Sequence, residues 1–318
     1  MIAVLAAAGL GLLALPTLLR RLGRHLQPVR WSALCTIAMA GGASLVIGSG
    51  LLSSLSTVLR GVGLPKVAQA CDAMLGHLVP SGSVLALTAL AVTASALVLG
   101  VRAVQHSHRA AKRSWVEPTV GIRLQRHGSF ETVLLDDARP GAVSVPGTTG
   151  RPSQVLLTTG LFDALSRPEV DLVCAHEEAH LRLAHHRYLA LATAVEQAMW
   201  FWPPAKASAQ ALRLALERWA DEAAAGSKPL ARSRLRSALL MVAVDGERPA
   251  LAAFSALDGL IERLAAMSEP EAATVSAIWW PVLLLPGLLL GAVAFFALAR
   301  LGHGAYCLLS MPGSCRLR

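Results

Sequence analysis

Four stretches of the chain are apolar throughout. Residues 2–19, 31–59, 83–101 and 275–299 contain no Asp, Glu, Lys or Arg. About 20 helical residues cross the hydrocarbon core of a bilayer, so each is read as a membrane span. Gly41, Gly42, Gly48, Ala94 and Ser95 on the second and third would let helices approach closely within lipid. Between the third and fourth stretches the pattern changes twice. Four short β-branched runs, residues 119–125, 131–137, 141–147 and 153–159, are bounded by Gly, Pro or Asp and predict a small sheet. Ser166 with Glu169 then forms a capping-box pattern, with Pro168 in the first turn. From there no Gly or Pro interrupts the chain before Pro203, which predicts one long helix. A second helix is expected after Pro203 and Pro204, ending at Gly226, with helix continuing to Met267.

This pattern divides the chain into a three-helix membrane region (1–104), an α+β domain (105–274), a fourth span (275–300) and a short tail (301–318). Composition agrees. Of 318 residues 54% are hydrophobic and 15% charged, with a mean hydropathy of +0.52, too apolar for an ordinary soluble domain. Residues 2–19 lack a basic segment before them and are followed by Arg20, Arg21 and Arg24, so they read as a retained anchor, not a cleaved signal. Those arginines with Arg30, and a second cluster of Arg102, Arg109, Lys112 and Arg113, fall in loops that the positive-inside rule assigns to the cytoplasm. The expected location is a multi-pass cell-membrane protein, with the N-terminus and tail outside and the α+β domain cytoplasmic. The net charge of +9 is then explained by arginines facing anionic lipid, and no direct nucleic-acid partner is expected. Absence of ionisable residues from the four spans argues against a transporter. Cys71, Cys307 and Cys315 would lie outside, where a Cys307–Cys315 bridge, or one using Cys71, can form.

The candidate chemistry sits in "AHEEAH", residues 175–180. Residues i and i+4 share a helix face, so His176 and His180 can present two imidazoles to one metal ion. Glu177 is then beside the open coordination position, where a carboxylate can take a proton from bound water. Chance alone yields such a pattern in roughly one chain per hundred of this composition, so a third ligand is needed. "ALERWADEAAAG" on the next helix supplies Glu217, with Asp221 one turn on, suited to hold a ligand imidazole from behind. The plainer reading of Asp221 is a salt bridge with Arg218. His185 and His186 are rivals by residue type, but a continuous helix would rotate both away from the ligand face, so both are expected at the surface.

HExxH followed by E-x-x-A-D, in a domain between apolar spans, resembles the membrane gluzincins. Three spans before the domain and one after it is similar to the BlaR/MecR-type antirepressor metallopeptidases. So is the order of "DDARPGAVSVPG", "QVLLTTGLFDAL" and the histidine helix. A CaaX-protease or HtpX-like type is the other branch. The resemblance implies a zincin-like fold and one Zn2+ per chain, with His176, His180 and Glu217 as ligands and Glu177 as catalytic base. It also implies a role for Arg263, in "IERLAAM", in domain packing or the active site. Its substrate would be a protein or peptide, in the regulatory branch a transcriptional repressor. Only residues 301–318 follow the fourth span, so no β-lactam-binding sensor domain is expected in this chain. The resemblance makes "SQVLLTT" a candidate for the edge strand that would pair with extended substrate; an ordinary interior strand is the equal alternative. The alternatives to a regulatory endopeptidase are a quality-control or processing peptidase and a non-catalytic membrane scaffold.

Overall fold

A computed structural model describes residues 2–75, 83–116, 122–127, 130–245 and 250–268. The fourth span at 275–299 and the cysteines Cys307 and Cys315 lie outside the described residues. Helix α1 is Ile2–Leu18, followed by the short α2, Arg20–His25. Helix α3, Pro28–Gly61, has 34 residues. The short α4, Pro65–Leu75, leads to α5, Ser83–Ser114, with 32 residues. Among the described residues, α3 and α5 are long and apolar enough to cross a membrane, and α1 is a shorter apolar helix of 17 residues. Helix α5 continues through the basic cluster to Ser114, so the division expected at 104/105 falls within a continuous helix.

All four expected strands form: β1 (Ile122–His127), β2 (Phe130–Leu135), β3 (Ala142–Val145) and β4 (Ser153–Thr158). Their order is β1-β2-β4-β3, with β2 and β4 parallel and the other pairs antiparallel. Strand β4 is therefore interior. Its amides are already paired on both sides, which rules out the edge role and leaves the interior alternative; the edge strand lying along the histidine helix is β3. The β3–β4 connection closes through paired Thr148 and Arg151, and its turn places Gly150 at φ 79°, a conformation glycine adopts without a Cβ clash. Val155 and Leu157 of β4 pack with Leu161, Leu165, Val170 and Val173, while Leu156 packs on the other face with Val133 and Val145. Buried Gln154 joins sheet to helix: it donates to and accepts from the Val116 backbone, each at 3.0 Å, just after α5.

After α6 (Thr159–Ala164) come α7 (Arg167–Arg182), α8 (His185–Ala198), α9 (Pro203–Ala225), α10 (Pro229–Asp245) and α11 (Ala250–Ser268). The capping box starts α7 as expected: Glu169 Oε2 accepts from the Ser166 amide at 2.9 Å and its hydroxyl at 2.7 Å. The single long helix expected before Pro203 is two helices. Ala184 adopts left-handed angles, φ 53° and ψ 38°, and breaks the chain between α7 and α8. That conformation is costly for a residue with a Cβ, so no local rule signals it.

Helices α8 and α9 pack against the apolar α1, α3 and α5 in one core that contains Leu13, Trp31, Met39, Ala96, Ala192, Val195, Ala209, Leu212 and Leu216. Trp202 donates to the Leu10 carbonyl at 3.1 Å and Ser208 to the Leu13 carbonyl at 2.7 Å. Helix α9 thus begins beside the middle of α1 and runs along it towards α2.

Candidate metal centre

Helices α7 and α9 pack side by side and bring their polar faces together. His176 Nε2 lies 3.2 Å from His180 Nε2 and 3.5 Å from Glu217 Oε2; His180 Nε2 lies 3.6 Å from Glu217 Oε1. These three side chains form a group able to hold a metal ion. Ligand atoms about 2.0–2.1 Å from a tetrahedral ion are separated by about 3.3 Å, close to what the three present. The donor set of two imidazoles and a carboxylate fits a first-row divalent cation and leaves one position open. Glu177 follows His176 and is half-buried.

Behind the three lies a charged layer. His176 Nδ1 is 3.0 Å from Asp221 Oδ1. Arg263 donates from Nε to Asp221 Oδ2 at 2.8 Å and from Nη2 to Oδ1 at 2.7 Å, while its Nη1 lies 3.0 Å from Glu217 Oε2. Asp221 is almost fully buried. Burial opposes its ionisation, but the Arg263 guanidinium and His176 prevail and hold its carboxyl below the usual range. Glu217 is likewise lowered, with burial outweighed by His176, Arg263 and His180. Burial also works against a proton on His176, yet Asp221 and Glu217 carry it up to about 9. His180 is lowered, mainly by burial. An ion shared by His176 and His180 would compete with that proton on His176.

The expected neighbours are therefore brought together: His176, His180 and Glu217 at the centre, Asp221 and Arg263 behind. The plainer pairing of Asp221 with Arg218 does not occur. Buried Arg218 instead donates to the carbonyls of Gly23 at 3.1 Å and Arg24 at 3.0 Å, closing the C-terminal end of α2. Glu262, next to Arg263, pairs on its other side with Arg20 and Arg24, at 3.0 and 3.1 Å. The sequence offered Arg218 only as a partner for Asp221; its place beside Glu217 on a helix otherwise rich in alanine carried no mark of α2.

His186 is exposed, as expected. His185 is not: it is fully buried, because the break at Ala184 turns its ring back towards the centre. Its Nδ1 is 2.9 Å from His180 Nδ1, and its ring lies 5.0 Å from that of Trp219. Burial, followed by the neighbouring His180, pushes it down to about 4. Cys174 donates to Glu178 at 3.6 Å, and burial followed by that carboxylate pushes its thiol up to about 12.

Residues 120–239 match the family model of peptidase family M48. The matched segment holds the sheet, the HExxH helix and Glu217, and it supports an M48-family metallopeptidase, a hydrolase with a protein or peptide substrate. No curated protein and no solved structure matches the chain.

Proposed function

We propose that the chain is a membrane-embedded zinc endopeptidase that cleaves a cytoplasmic or membrane-associated protein at the inner membrane face. The observation carrying this reading is the convergence of His176, His180 and Glu217 within 4.8 Å of one another, backed by Asp221 and Arg263. His176, His180 and Glu217 would hold the ion, and Asp221 and Arg263 orient His176 and Glu217 from behind. When bound, zinc lowers the pKa of its water towards 7 and polarises the scissile carbonyl. Glu177 takes the proton of the attacking water and passes it to the leaving amine. Edge strand β3, with Val143 exposed beside α7, offers main-chain groups to an extended substrate.

The membrane setting is supported by α3 and α5 and by the exposed Val84, Leu85, Leu87, Val92, Leu97 and Val98 along α5. By the positive-inside rule Arg20 and Arg24 would mark the inner end of α1, and Arg102 to Arg113 that of α5. Fifteen residues of α9 separate Trp202, beside Leu10, from Glu217, a rise of about 22 Å. That rise ends level with the α2 carbonyls held by Arg218, which supports a metal centre near the inner boundary. Regulatory cleavage of a repressor is the finer reading, from the BlaR/MecR-like order of segments. An HtpX- or CaaX-protease-like processing or quality-control peptidase draws on the M48 match, which covers the peptidase segment alone.

The deciding experiment combines elemental analysis of detergent-purified protein with peptide hydrolysis. About one zinc per chain, lost in Glu217→Ala, with hydrolysis abolished in Glu177→Gln, is the expected result. Stable protein that takes up no zinc after reconstitution would leave a non-catalytic scaffold as the better reading.

A further inference from the structure

We propose that His185 is the positioning residue for the metal ligand His180, accepting the His180 Nδ1 proton so that the His180 Nε2 lone pair faces the ion. The inference rests on the metal centre proposed above. The two Nδ1 atoms are 2.9 Å apart, so one ring donates and the other accepts. Which does which follows from the other end of His180. Its Nε2 points into the group formed with His176 and Glu217, 3.2 Å and 3.6 Å away. A nitrogen that binds a metal carries no proton, so the His180 proton must be on Nδ1. His185 Nδ1 is then the acceptor, and the His185 proton is on Nε2.

Three features distinguish this contact from incidental packing. His185 is fully buried, and its Nε2 has no hydrogen-bond partner among the described residues, a cost that a phenyl or aliphatic side chain would avoid. The ring reaches His180 only because non-glycine Ala184 takes left-handed angles; on a continuous helix the five-residue offset turns the two side chains apart. Finally, the two ligand histidines would otherwise be unequally supported. His176 Nδ1 has the Asp221 carboxylate 3.0 Å away as a charge neighbour, and His185 Nδ1 takes the corresponding place at His180. Ligand imidazoles held in this way keep one tautomer and one ring orientation, at a typical 10–100-fold gain in metal affinity.

The test is zinc affinity of the detergent-purified full chain, measured by chelator competition at fixed pH. His185→Phe keeps the ring's bulk and removes the acceptor; His185→Gln keeps an acceptor oxygen. The expected result is a 10–100-fold weaker zinc affinity in the Phe variant, largely restored in the Gln variant, with metal-free thermal unfolding similar in both. Equal affinity in all three chains, or equal loss in both variants, overturns the proposal. Should the Phe variant fail to fold, side-chain nitrogen NMR of the histidines in zinc-loaded wild type decides without it. His185 protonated on Nε2 supports the assignment, and His185 protonated on Nδ1 overturns it. Wild-type chain that binds no zinc overturns the metal centre itself, a result separable from any difference among His185 variants.

Discussion

Helix α9 is one continuous helix in two environments. Its first half buries Ala205, Ser208, Ala209, Ala211, Leu212, Ala215 and Leu216 against α1, α3 and α8. Its second half buries Arg218 and Asp221, with Glu217 partly exposed at the metal centre. The first half is held by shape. Small side chains let neighbouring helices approach, and any apolar group of similar volume serves nearly as well. The second half is held by charge brought from elsewhere: Arg263, 42 residues along the chain, on Asp221, and α2 carbonyls, up to 195 residues away, on Arg218. A buried charge is tolerated only while its partner is present, so this half should be far less forgiving of substitution.

The largest expected effect is that of Glu217→Ala, which removes a proposed ligand and exposes the difference most directly. Zinc should be lost, and peptide hydrolysis should fall at least about 1000-fold, by elemental analysis and initial rates. Next comes Asp221→Asn, isosteric but uncharged. It leaves Arg263 buried beside a neutral amide and is expected to cost about 3 kcal/mol of stability in thermal or denaturant unfolding. Arg218→Met keeps the stem but frees the α2 carbonyls, with an expected loss of about 1.5–3 kcal/mol. The matched change in the apolar half, Leu212→Met, should cost less than about 1.5 kcal/mol. If Leu212→Met proved as damaging as Asp221→Asn, the contrast between the halves would be wrong. The smallest effect belongs to the junction before α8. Ala184→Gly relieves the left-handed backbone and should raise the melting temperature slightly, by about 0.5 kcal/mol of stability.

Most of the secondary structure was legible because its signals are local. The capping box at Ser166, the paired prolines opening α9 and Gly226 closing it each act within one turn of helix. Order within the sheet was not legible. Strands β3 and β4 are both short and β-branched, and only pairing with β2 makes β4 interior. Treating 1–104 and 105–274 as separate regions hid the shared core, since the apolar face of α8 carries no mark of which helices cover it. In the candidate site, spacing paired His176 with His180 and Glu217 with Asp221, and the structure brings His176, His180 and Glu217 together, whereas His185 was expected at the surface and Arg218 beside Asp221.

By itself the sequence determined which groups share a face. His176 with His180, and Glu217 with Asp221, are each four residues apart, and helical periodicity leaves no other arrangement. Tertiary structure alone decided how each face is supported. Arg263 rather than Arg218 meets Asp221, α2 takes Arg218, and a left-handed alanine turns His185 onto His180. The reason is physical: periodicity is a property of the local backbone, whereas the partner of a buried charge depends on which distant segment packing brings within about 3 Å of it.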